Sequence, residues 1–313
     1  MKEVLVMQFR LFCKGAIIGL LLAASMTGTF AQNILESVKA MEQQFGVKLL
    51  STSDINKGIR RNRIVPDNYG VYSPTVSSDA TAIGWWSRKT PYRGEKIPFY
   101  WVKSLKEGIQ SVSIDGKIPM GSHDISAEGK VIVALARPYP IHGEPWELLA
   151  IDRRSDIIVH NLTRFVTQVK IDSFLEDISV SGSGNFVALG SEEEKIQVLE
   201  IPSGKTVYAS PGRFPRISPD GKRLAFVNQG AIWIHSLVDG STVQLMKGKQ
   251  VKGIGGWSPD GRFLTAGAWT TLLAGDKHQV IVDTTTGKYE VIGKLGEGDY
   301  GTYFAWVSTK LLE

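Results

Sequence analysis

The sequence predicts an all-β chain built from repeated hairpins, and three observations carry that expectation. First, Ile217–Val227 (ISPDGKRLAFV) has a near-copy at Trp257–Ala266 (WSPDGRFLTA). In both, Ser-Pro-Asp-Gly fits a type I turn: Ser first, Pro presetting φ second, and Gly fourth, where a positive φ lets the turn close a twisted hairpin. Second, Arg223, Ala225 and Val227 alternate with Leu224 and Phe226 after the turn, the period of a strand. Third, 33 Gly with 8 Trp and 9 Tyr scattered between them suit many short strands joined by tight turns.

Taken in order, the chain opens with Lys2, Arg10 and Lys14 around and before an apolar run, Ala16–Ala24, and leads through small residues to Thr29-Phe30-Ala31. That pattern predicts a signal peptide over residues 1–31, cut after Ala31. The alternative is a retained anchor over Gly15–Ala31, an uncharged run at the short end for a span. The single Cys, Cys13, lies in this segment, so the mature chain would hold no disulfide and must rest on a large core. Cleavage predicts a periplasmic or secreted protein with no stable membrane span. The formal charge of +5 falls to about +3 without the leader, because three basic residues and Glu3 leave with it. So mild a charge gives no argument for nucleic acid as a partner.

Residues 32–46 predict one short helix. Ile34, Val38, Met41 and Phe45 recur at helical spacing, Asn33 can cap the start and Gly46 can end it.

Residues 47–313 read as strands. Units resembling ISPDGK place their serines at Ser77, Ser126, Ser181, Ser218 and Ser258, with Ala80 in the glycine position of the first unit. Two further strands follow each turn, as at Ala231–Leu237 and Thr242–Met246, then at Gln279–Asp283 and Lys288–Ile292. Four strands in a recurring unit of about forty residues predict propeller blades. Thr302–Leu312 resembles a sixth inner hairpin, with Trp306 at the place of Trp257. Val47–Ser53 and Ile59–Pro66 read as the two outer strands of the same blade, with Arg60, Arg61 and Arg63 on its solvent-facing edge. The expectation is therefore a six-bladed β-propeller, closed by N-terminal outer strands pairing with C-terminal inner strands and preceded by one short helix.

These SPDG hairpins resemble the WD-repeat-like, TolB-like propeller family, whose best-known member is a periplasmic six-bladed propeller. The resemblance covers about residues 47–313 and implies a non-catalytic, protein-binding scaffold. A separate α/β domain precedes the propeller in TolB itself, and residues 32–46 are too short to contain it.

No catalytic constellation stands out. Gly-x-Ser-x-Gly does not occur, since Ser181-Gly182-Ser183-Gly184 has the wrong spacing for a nucleophile elbow. Asp220 and Asp260 read as turn residues bonding their own backbone and not as calcium ligands. Glu192-Glu193-Glu194 reads as a solvated loop. The histidines, at 123, 142, 160, 235 and 278, form no sequence-local metal motif, so neither a metal nor another cofactor is expected.

Binding groups are expected on one rim. With the four strands of a blade lettered A to D in chain order and the SPDG turn between A and B, B–C and D–A connections fall at the end of each blade opposite the SPDG turns. Three B–C loops are long and rich in aromatic and basic residues: Trp86–Ile97, Arg137–Pro145 and Trp269–His278. They nominate Arg93, Tyr139, His142, Trp146, Trp269 and Lys277, with His123, Glu176 and Arg213 added from D–A segments. Two functions remain open at this stage. One is a monomeric scaffold for a protein or cell-envelope partner; the other is a metal-assisted lyase or hydrolase acting on a saccharide at the channel mouth.

Overall fold

The computed structural model describes residues 34–61, 72–86, 100–112, 117–138, 145–171, 175–246, 250–269, 277–294 and 304–313. The leader and its cleavage site, Asn33, Arg63 and most of the three long loops lie outside them. The chain divides into two units, Met1–Met41 and Glu42–Glu313. Helix α1 occupies residues 34–45; Ile34, Val38 and Met41 are buried, whereas Phe45, expected on the same face, is exposed. Gly46 follows it with φ +61°, the left-handed turn that ends a helix.

The second unit is an all-β propeller of five four-stranded blades. Blade one holds β2 (Tyr72–Val76), β3 (Ala82–Trp86), β4 (Tyr100–Ser104) and β5 (Gly108–Val112). Blade two holds β6 (Lys117–Ile125), β7 (Val131–Pro138), β8 (Glu147–Asp152) and β9 (Ile158–Asn161). Blade three is β10 (Leu175–Val180), β11 (Phe186–Ser191), β12 (Lys195–Glu200) and β13 (Thr206–Pro211). Blade four is β14 (Arg213–Ile217), β15 (Arg223–Asn228), β16 (Ala231–Ser236) and β17 (Thr242–Leu245). Blade five is β18 (Gln250–Trp257), β19 (Phe263–Trp269), β20 (Lys277–Asp283) and β21 (Tyr289–Lys294). Within each blade the strands pair antiparallel in chain order.

The turn chemistry explains why these hairpins form. Ser77, Ser126, Ser181, Ser218 and Ser258 are all buried. Each hydroxyl accepts the amide five residues on, from Ala82, Val131, Phe186, Arg223 and Phe263, at 2.8–3.1 Å. Asp79, Asp220 and Asp260 accept the Ser77, Ser218 and Ser258 hydroxyls. Asp220 and Asp260 also accept the amides of Lys222 and Arg262. Their carboxylates thus serve the turn itself. The fourth residue takes a left-handed φ in every copy: Ala80, Gly129, Gly184, Gly221 and Gly261.

The expected six-bladed closure is corrected by the N-terminal segment. Among the described residues, only β1 (Val47–Ser51) pairs with β22 (Phe304–Ser308), in a separate two-stranded antiparallel sheet, and β22 is followed by a short 3-10 turn, Thr309–Leu311. The outer strands expected over residues 47–66 are replaced, after β1, by helix α2 (Thr52–Arg61). The described residues form five blades and two helices, where six blades and one helix were expected. The physical reason is local. Ser51 caps the helix, its hydroxyl accepting the Asp54 amide at 3.1 Å and donating to the Asp54 carboxylate at 2.6 Å. Ile55 and Ile59, four residues apart, then form one buried stripe against Ile83, Trp85, Val307 and Leu311. Gly58 lets the helix approach Leu312, which a Cβ would meet at 3.0 Å. Arg60 and Arg61 consequently lie on α2 and not on a strand edge.

The inner strands neighbour one another in the order β2, β6, β10, β14, β18, β22, and β22 lies beside β2. Blade-to-blade cores are apolar. One, between blades two and three, contains Val131, Leu148, Ile178 and Val187; another, between blades four and five, contains Ile232, Trp257, Leu264 and Val280.

Candidate functional site

The inner strands are irregular, and this irregularity builds the site. Pairing between inner and second strand shifts register in all five blades, at Tyr72/Thr75, Pro119/His123, Leu175/Asp177, Arg213/Arg216 and Ile254/Trp257. Bulges of this kind bend a strand and redirect its side chains. Ser73, Gly121 and Phe214 take left-handed φ values at three of them.

A cavity of about 460 Å³ lies among these strands. Two residues before each turn serine, and before Ser308 of β22, the chain carries Thr75, Asp124, Ser179, Arg216, Gly256 and Trp306, all of which line it. From this position the blades are tied together. Thr75 donates to Asp124 Oδ1 at 2.9 Å, joining blades one and two. Asp124 Oδ2 accepts the Val180 amide of blade three at 2.7 Å, and Ser179 accepts the Ile217 amide of blade four at 2.9 Å. Arg216 donates to Gly255 O at 2.8 Å, and its own carbonyl accepts the Trp257 indole at 2.9 Å, joining blades four and five. Thr265 of blade five reaches the Phe304 carbonyl of β22 at 3.1 Å.

Charge is concentrated on one side of this belt. Asp177 Oδ1 accepts a bond from Arg216 at 2.7 Å, while Asp177 Oδ2 has no partner among the described residues. Enclosure by protein pushes the Asp124 carboxyl up to about 6, against the bonds from Val180, Ile125 and Thr75 that favour its anion. The same enclosure lowers His123 to about 4, so its ring is neutral at pH 7. His123 stands edge-on against Tyr100, with ring centroids 5.1 Å apart. The Tyr100 hydroxyl is buried over Gly84, where a Cβ would come within 2.4 Å of it; burial, then the charge of Asp124, raises its pKa well above the usual phenol value.

The nominated residues are not brought together as one cluster. His123 lines the cavity from near the end of β6, three residues before Ser126. Trp146 lies under the Arg137 guanidinium, 4.2 Å from its ring, and packs on the core between blades two and three. Trp269 and Lys277 are partners at the open end of the β19–β20 hairpin. Arg213 begins β14 with its guanidinium 5.1 Å from the Phe214 ring, and Glu176 is the second residue of β10. Arg93, Tyr139 and His142 lie outside the described residues. Asp124, Asp177 and Arg216 are channel residues that the sequence reading does not nominate. Aligning the repeats on their turn serines, then reading the position two before, brings out Asp124 and Arg216.

No family model matches the chain, and no curated protein matches it. Among solved structures it is similar to TolB from Acinetobacter baumannii, with a TM-score of 0.47 and 17% identity over 78% of this chain and 59% of that one. The chain therefore spans about six-tenths of the length of that relative. A putative TolB from Agrobacterium tumefaciens gives a TM-score of 0.48 and 15% identity over 80% of this chain and 90% of that one. An oligogalacturonate lyase in complex with manganese gives 0.44 and 10%, over 74% and 68%. Among the described residues, no three His, Cys, Asp or Glu side chains are grouped to hold a metal, and no helix is long and apolar enough to cross a membrane.

Proposed function

We propose that the protein is an exported, periplasmic or secreted propeller scaffold that engages a protein or cell-envelope partner through the rim of its long B–C loops. The observation that supports this reading is the use of charge in the channel. Arg216 binds Gly255 O, Pro215 O and Asp177, and both Asp124 oxygens bind neighbouring blades, so these groups hold the scaffold together. On the rim the sequence places Arg93, Tyr139 and His142 on long connections between rigid strands, and Trp269 and Lys277 stand at the strand ends that flank a third connection.

The test compares the two ends of the propeller. Arg93→Ala with Tyr139→Ala should abolish recovery of a cross-linked partner from the native envelope while leaving thermal unfolding unchanged. Lys205→Ala with Lys222→Ala, exposed residues at the SPDG end, should retain it. Loss of the partner in the second variant alone would assign binding to the opposite face.

A further inference from the structure

We propose that the channel cavity binds a small primary ammonium ion, with the unpartnered Asp177 carboxylate oxygen as its acceptor. Asp177 is 6% exposed and lines the cavity. One of its oxygens is held by Arg216, and the other meets no donor among the described residues. A buried carboxylate oxygen without a donor is unfavourable, and a ligand N–H restores the missing bond.

Charge selects the sign of the ligand. Among the described residues, the ionisable side chains lining the cavity are Asp124, Asp177, Arg216 and His123. With His123 neutral and Asp124 ionised, two carboxylates face one guanidinium, leaving a single negative charge. A monocation balances it, whereas an anion would meet both carboxylates in an enclosed space. The same cation would relieve Asp124, whose anion is disfavoured by burial.

The remaining walls fit the rest of such a molecule. Trp257, Phe304 and Trp306 line the cavity, and aromatic rings suit an alkylammonium through both its charge and its apolar stem. The space of about 460 Å³ accommodates a small organic ion with bridging water. Oδ2 needs a hydrogen-bond donor, which excludes a quaternary ammonium as the preferred ligand. This proposal does not depend on the rim reading.

Calorimetric titration of the whole protein at pH 7.5 with n-butylammonium tests it. Saturable one-site binding is expected, with n-butanol and tetramethylammonium at least about tenfold weaker. Asp177→Asn should raise the dissociation constant at least about tenfold, the loss of a charge-assisted bond. Because that variant also weakens the Arg216 contact and can unfold, Asp124→Asn serves as a second test and should weaken binding while the Asp177–Arg216 pair remains. Equal binding of n-butanol would overturn the proposal. So would binding of calcium in place of the amine, unchanged affinity in a folded variant, or no saturable binding up to about 50 mM amine.

Discussion

Asp177 of blade three and Arg216 of blade four meet at 2.7 Å in the channel, with side chains 7% and 17% exposed. This contact joins two inner strands that are distant in sequence, and both side chains are largely buried. Removing one member of such a pair leaves the other charge buried without compensation. Arg216→Ala should therefore cost about 3 kcal/mol in urea unfolding. Asp177→Leu with Arg216→Met should cost much less, since both charges leave together. Equal losses in the single and double variants would show that the guanidinium acts through packing alone.

Two neighbours in the channel give opposing pH dependences. Asp124 has its folded pKa raised to about 6 from 3.8, so the folded state holds the proton more tightly and stability rises as pH falls through 6. His123 has its folded pKa lowered to about 4 from 6.5, so the unfolded state takes the proton first and stability falls as pH drops below 6.5. Each effect amounts to about 1–2 kcal/mol between pH 7 and pH 5, and the two largely cancel. Denaturation of Asp124→Asn should show stability decreasing over that range. His123→Gln should show it increasing. Parallel profiles in both variants would place the titration elsewhere.

Turn residues that take a left-handed φ, two in the serine turns and one in the β16–β17 connection, give a graded series. Ala80 has φ +61° where the other blades have glycine, and Ala80→Gly should stabilise by about 0.5–1 kcal/mol by relieving its Cβ. Gly240 has φ +76° with open space around it, so Gly240→Ala should cost only the backbone penalty of about 1 kcal/mol. Gly184 has φ +73°, and a methyl group added there would lie only 2.4 Å from Val131 Cγ2, so Gly184→Ala should cost about 2–3 kcal/mol. Chemical denaturation of the three variants checks the order, which fails if Gly240→Ala is as costly as Gly184→Ala.

What can be read from the sequence follows the range of the interactions involved. The Ser218 and Ser258 turns are local, closed by bonds within five residues, and β16, β17, β20 and β21 fall close to the positions their patterns indicate. Helix α2 is equally local, yet the strand expectation over residues 47–66 overlooks it. Ser51 and Asp54 form a cap, and Ile55 and Ile59 keep a period of four, which favours a helix over a turn and outer strand. The channel is not legible in the same way. Asp124, Asp177 and Arg216 come from three blades, and a lone charge in one strand gives no sign of its partner about forty residues away. Bulges add to the difficulty, because a register shift moves a side chain off the face that simple alternation assigns to it.

The most direct test of the scaffold reading is site-specific photo-cross-linking in the native host. A photoreactive residue at position 139, on a long B–C loop, should give a discrete protein or envelope adduct in the periplasmic or secreted fraction. The same residue at position 222, beside the Ser218 turn, should give none. Adducts from position 222 alone would reverse the binding face, and no adduct from any B–C loop would contradict the account.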